Sequence, residues 1–201
     1  MTEKELKEIK YYLGYGANEA DERTKSVIES VFSEYESAVC EKYLTKTFEC
    51  TVSDKSVVLL CDGKAVSEFY SKKLAKHLSL CDKVTLMAAT VGAACDRLML
   101  RYEHTEIAKA AVCQACGAYF IERLCDSICD RLKKETSREL TFRFSPGYGD
   151  LKLETQRELF NILECRRIGL TLTDSCLTVP TKSVTAFIGH KKPGMKRNIE
   201  K

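Results

Sequence analysis

The stretch RFSPGYGD occupies residues 143–150 and closes an alternating run, LTFRF, at residues 140–144. Alternation places Leu140, Phe142 and Phe144 on one side of a strand and Thr141 and Arg143 on the other. A Ser-Pro-Gly turn follows at once, then Tyr148 and finally Asp150. Each residue type has a separate use. A guanidinium at a strand end can pair bidentately with a carboxylate or phosphate. Pro146 and Gly147 favour a tight turn, and a residue without Cβ lets a ligand approach the backbone. The Tyr148 ring offers a flat face and a hydroxyl. Together they suit a ligand with a carboxylate, an aromatic ring and a positive centre. The plainer alternative is a strand–turn–helix corner, with Arg143 in a salt bridge and Tyr148 as a lid on the core.

Outward from this stretch, apolar spacing predicts helices over 3–13, 19–39, 65–78, 91–100, 107–134 and 153–165. Gly14 and Gly16 break the first. Strands are expected at 47–52, 57–61, 83–90, 140–144, 169–173 and 183–188. Helices concentrate early and strands late, which points to an α+β fold rather than a regular βαβ series. No repeat, low-complexity segment or linker divides the chain. Residues 1–80 read as helices and a short hairpin belonging to the same domain as a core at 81–201.

The chain has 201 residues, 44% hydrophobic, enough for a sizeable core. Its 32 basic and 29 acidic residues leave a net charge of +3, no broad footprint for nucleic acid. The basic residues Lys191-Lys192 and Lys196-Arg197 read as a solvated end. No apolar run reaches membrane-spanning length, and the acid-bearing start MTEKELKEIKYYL lacks a signal-peptide core. A cytoplasmic location is the expectation.

Eleven cysteines tempt a metal or redox reading. On a helical wheel with Cys113 at 0°, Cys116 falls at about 300°, Cys125 at about 120° and Cys129 at about 160°. Four ligands so spread on one rigid helix cannot surround one ion. Cys125 and Cys129 fall instead with the apolar stripe of Ile121, Ile128 and Leu132, as small core residues. The pair Cys113/Cys116 sits inside a helix, the wrong place for a thioredoxin-type motif. His77, His104 and His190 show no paired metal-ligand spacing and read as surface or capping residues. There is no phosphate-binding GxxxxGK[ST] loop, no GxGxxG after a strand and no GxSxG elbow. A binding protein is better supported than one that catalyses through its own side chains.

The segment at 143–150 also resembles the RxxxGY motif of the activation domain of vitamin B12-dependent methionine synthase, through Arg143, Gly147 and Tyr148. LKLETQRELFNIL (151–163), IGLTLTDS (168–175) and PTKSVTAFIGH (180–190) resemble the segments that follow in that family, with Gln156 at its usual place. The likeness is specific over 107–190, weak before residue 80, and closest to stand-alone bacterial versions.

The resemblance implies a curved mixed or antiparallel sheet with flanking helices and a shallow S-adenosylmethionine site. Arg143 would hold the methionyl carboxylate, and Ser145, Gly147 and Tyr148 would meet the adenosyl part. Asp126, or alternatively Glu122, would supply the acid that the family places on its long helix, facing the ammonium or sulfonium. The implied role is accessory: S-adenosylmethionine supports reductive methylation of cob(II)alamin on a partner cobalamin-dependent methionine synthase, with flavodoxin as the usual electron donor. The further tyrosine of the family's large enzymes would fall near Met195, which is not a tyrosine. No DxHxxG motif occurs, so cobalamin would have to come from the partner. The alternatives are a regulatory module that uses the site for another ligand, and a reactivator of another corrinoid methyltransferase.

Overall fold

A computed structural model describes residues 1–16 and 18–194. In chain order the elements are α1 (Glu3–Tyr12), α2 (Glu22–Ala38), β1 (Lys42–Val52), β2 (Ser56–Cys61), β3 (Lys64–Tyr70), α3 (Lys72–Leu78) and β4 (Cys81–Thr90). Then follow α4 (Ala93–Thr105), α5 (Ile107–Thr136), α6 (Thr155–Leu163), a 3-10 turn at Cys165–Ile168, β5 (Thr171–Leu172), β6 (Thr178–Val179) and β7 (Ser183–Lys191). Five strands form one antiparallel sheet in the order β3-β2-β1-β4-β7. A separate two-stranded ribbon joins β5 to β6. The α+β class and the antiparallel sheet with flanking helices agree with the reading from sequence.

The sheet is covered on both faces, and the period of two in its central strands shows why. Along β4, Met87 and Ala89 enter a core with Ile28, Phe32, Tyr35 and Phe120 from the helices. Val84, Leu86 and Ala88 enter a second core with Leu74, Phe144, Leu159 and Phe160. Along β7, Ala186 and Ile188 take the first side and Phe187 the second. A strand buried on both faces has no polar face, so its sequence is a continuous apolar run. Helices α1, α2, α4 and α5 thus cover one face, and α3, α6 and the segment after α5 cover the other. No helix among the described residues is long and apolar enough to cross a membrane.

Several expectations require correction. Residues 65–78 are not one helix but β3 followed by α3. Strands do not concentrate late: four of the five sheet strands precede residue 91. Residues 140–144 form no regular strand; they touch β7 through isolated bridges, Leu140 to His190 and Phe144 to Phe187. Phe142 does not share a face with Phe144, being 85% exposed while Phe144 is buried. His190 is a buried core residue whose Nε2 lies 2.6 Å from Thr85 Oγ1. Lys191 belongs to β7 and pairs with Glu139 rather than trailing in solvent. Lys196, Arg197 and the position near Met195 lie outside the described residues.

Candidate functional site

The segment that follows α5 runs along the free edge of β7. Thr141 N–H donates to Gly189 O at 2.9 Å, Phe144 N–H to Phe187 O at 3.0 Å, and Phe187 N–H back to Phe144 O at 2.8 Å. This pairing pins successive side chains to opposite sides of the sheet edge. Phe144 turns into the second core, and Arg143 turns back toward α5.

There Arg143 Nη2 meets Glu122 Oε2 at 2.5 Å and Nη1 meets Asp126 Oδ1 at 2.6 Å. Glu122 and Asp126 are four residues apart on α5, so one helical face presents both carboxylates. Nη1 also approaches Cys129 Sγ at 3.8 Å. Burial works against the charge on Arg143, but bonding to Asp126 outweighs it, and the guanidinium is held even more firmly protonated than usual. One guanidinium between two carboxylates leaves an excess negative charge. The arrangement can therefore offer donors to a carboxylate and acceptors to a cationic group of the same ligand.

Ser145, Pro146, Gly147 and Tyr148 form a turn closed by Tyr148 N–H donating to Ser145 O at 3.1 Å. Gly147 has φ +86°, the left-handed value that the third residue of a type II turn requires. Its N–H donates to Leu151 O at 2.8 Å. Both amides are thus engaged inside the turn. What the turn presents is its shape, the Ser145 hydroxyl and the Tyr148 ring. That ring is 68% exposed and stands edge-on to Phe144, with centroids 5.4 Å apart. It is not a lid on the core.

Of the six residues singled out from sequence, Arg143, Glu122 and Asp126 come together in direct contact. Ser145, Gly147 and Tyr148 share the neighbouring turn. No hydrogen bond or ring contact joins that turn to the Arg143 cluster among the described residues.

Asp150 has a structural role. It accepts from Ser71 Oγ at 2.5 Å, Lys72 N–H at 2.9 Å and Lys73 N–H at 3.2 Å, which caps α3. Bonding to Ser71 holds its carboxyl below the usual range. Gln156 is buried and bridges two segments. Its Nε2 donates to Cys176 O at 2.8 Å, and its Oε1 accepts from Thr185 at 3.2 Å.

Tyr12 also borders the site and was not singled out from sequence. Tyr119 on α5 meets Glu5 on α1 at 3.2 Å. Seven residues further along each helix, about 10 Å at 1.5 Å per residue, stand Asp126 and Tyr12. Burial raises the Tyr12 hydroxyl's pKa, and the charges of Glu122 and then Glu8 and Asp126 add to the rise. The only sequence signal was the aromatic pair Tyr11-Tyr12 at the end of α1.

The cysteines behave as core residues. Cys113, Cys116 and Cys125 are buried, and burial pushes each thiol up to about 12. The sulfur atoms of α5 face its packed side, not a shared centre.

No family model matches this sequence, and no curated protein matches it by sequence. Among solved structures, the chain is similar to the MetH reactivation domain bound to AdoHcy, with a TM-score of 0.66 at 16% identity. The match covers 91% of this chain and 68% of that one. The chain has the fold of a MetH reactivation domain. At that identity the likeness speaks for the fold alone.

Proposed function

We propose that this protein binds S-adenosylmethionine and supports reductive methylation of cob(II)alamin on a partner cobalamin-dependent methionine synthase. The carrying observation is the Arg143–Glu122–Asp126 cluster at the sheet edge, beside the Ser145–Tyr148 turn, in a chain with the reactivation-domain fold. The neighbour's AdoHcy is S-adenosylmethionine without its methyl group, and the ligand chemistry fits the residues here. An aminocarboxylate end needs a donor for its carboxylate and an acceptor for its ammonium. Arg143 supplies the first, while Glu122 and Asp126 supply the second. The excess negative charge of the cluster also favours a sulfonium. Ser145 and the exposed ring of Tyr148 serve the adenosyl part. When bound, the ligand supplies a methyl group on a positively charged sulfur.

The chain's own work is to bind and orient. Arg143 is set by the pairing of its neighbours Thr141 and Phe144 to β7 and by two carboxylates, so it meets a ligand at low conformational cost. The turn is fixed by its own amides and by Asp150 on α3. Cobalamin would be held by the partner, and flavodoxin is the proposed electron donor. The protein is read as an accessory component rather than a complete enzyme, acting in the cytoplasm.

The test is reactivation. Methionine synthase lacking its own activation domain, trapped as cob(II)alamin, is mixed with this protein, S-adenosylmethionine and a flavodoxin reducing system. Recovery of methionine formation that depends on both the protein and S-adenosylmethionine is expected. Binding of S-adenosylmethionine without any recovery would place the role with another corrinoid methyltransferase or with regulation.

A further inference from the structure

On the opposite covering layer from the Arg143 cluster, α6, the 3-10 turn and β5 enclose a groove of about 690 Å³. That size lies within the range of small-molecule sites. Three arginines line it, Arg157, Arg166 and Arg167, against one carboxylate, Glu164. Phe160 and Leu170 form an apolar floor.

The arginines are not explained by helix stability alone. Arg166 and Arg167 follow the C-terminus of α6, where positive charge is favourable, and Arg167 pairs with Glu164 at 3.1 Å. Arg157 lies in the first turn of the same helix, where positive charge is unfavourable. It is nevertheless fixed: its Nη2 donates to Asp174 O at 2.6 Å. A backbone carbonyl orients the guanidinium without cancelling its charge. Glu164 keeps a left-handed backbone, φ +54°, which turns the chain so that Arg166 and Arg167 come back to the groove. From Arg157 to Glu164 is seven residues, about 10 Å along the helix. Positive charge therefore stands at both ends of an apolar-floored trough.

We infer that this groove binds an elongated small molecule carrying oxyanions, phosphate or carboxylate, at both ends roughly 10 Å apart. Guanidinium forks at the two ends match either oxyanion bidentately, and the spacer lies over Phe160 and Leu170. The inference is independent of the S-adenosylmethionine reading, because the groove shares no residue with that site.

Two probes of matched length separate the chemistries: 1,4-butanediol bisphosphate and suberate, an eight-carbon dicarboxylate. Each is titrated at constant ionic strength into isotopically labelled full-length protein, and amide shifts are followed by NMR. Saturable shifts confined to residues 157–172 are expected with at least one probe. They should persist in Arg143→Ala and weaken at least tenfold in the double variant Arg157→Gln, Arg166→Gln. The single variant Arg166→Gln, an exposed change, should weaken binding in a protein whose remaining spectrum is unaltered. Saturation by the bisphosphate alone would assign phosphate, and by suberate alone carboxylate. Non-saturating shifts spread over the surface would overturn the proposal. So would shifts centred on residues 143–148 and lost in Arg143→Ala. Binding of polyglutamate with no response to either probe would replace it with docking of an acidic protein.

Discussion

At the scale of single residues, chemistry here is decided by what each side chain is pressed against. Burial pushes Cys50 and Cys165 up to about 12 and Cys81 to about 11. The thiolate is the reactive form, so these sulfurs are nearly inert at neutral pH. Cys40 and Cys61 are exposed, and Cys129 is partly so. Native protein treated with iodoacetamide at pH 7.5 should be labelled at Cys40 and Cys61 first, at Cys129 slowly, and elsewhere only on unfolding. Peptide mass mapping checks this, and rapid labelling of Cys113 or Cys116 would contradict the packing described. The core role of Cys125 was legible from the helical wheel. That of His190 was not, because a histidine carries no periodic signal and its partner Thr85 lies 105 residues away.

At the scale of elements, the strongest sequence patterns belonged to segments buried on one stripe or on both faces, namely α5 and β4. The pattern failed where strand pairing decides. Residues 64–70, KAVSEFY, bury only Phe69, so nothing in their hydropathy distinguishes an edge strand from a helix. Pairing with β2 makes them β3. The 140–144 alternation was misleading for a related reason. Only Phe144 is buried, because the segment touches the sheet at two points rather than along a ladder. Asp150 was legible as an acid closing the turn, but its cap on α3 joins residues 78 apart.

Packing of α5 gives a prediction at this scale. A Cβ at Gly117 would stand 2.6 Å from Lys182 Cε and 2.7 Å from the buried Tyr35 hydroxyl. Alanine gains about 1 kcal/mol in helix propensity, but overpacking costs about 1–3 kcal/mol. Lys182 can move, whereas Tyr35 stacks on Phe120 and cannot easily do so. Gly117→Ala should therefore be neutral to destabilising, by up to about 2 kcal/mol net of those two effects. Urea denaturation measures it, and a gain in stability would contradict the tight fit of Tyr35 against α5.

At the scale of the whole molecule, two cores share one sheet, and His190 sits where β7 meets β4. Its Nε2 contacts Thr85 Oγ1, and among the described residues its buried Nδ1 has no hydrogen-bond partner. Burial lowers its pKa, the positive charges of Arg138 and Lys83 lower it further, and Asp82 opposes them. The unfolded chain therefore takes up a proton more readily than the folded one. The stability that depends on a neutral His190 is fully present above pH 6.5, its ordinary pKa. It is lost as pH falls below that value, by at most about 1.4 kcal/mol per pH unit. His190→Gln should flatten the decline in melting temperature between pH 6.5 and pH 5, apart from carboxylate contributions common to both proteins. An identical decline in both would contradict the buried neutral histidine.

At the sheet edge, pairing of the flanking residues to β7 aims Arg143 at two carboxylates. The sequence pointed to Arg143 through its position before a Ser-Pro-Gly turn. It could not reveal that Tyr12 would stand beside the same acids, since that follows only from how α1 packs on α5. Isothermal titration with S-adenosylmethionine, run on the wild type and on Arg143→Ala, tests this most directly. Saturable binding at one site is expected, weakened in the variant by about 1.5–3 kcal/mol, the scale of a hydrogen bond to a charged group. No binding by the wild type, or equal affinity in a folded Arg143→Ala, would contradict the assignment.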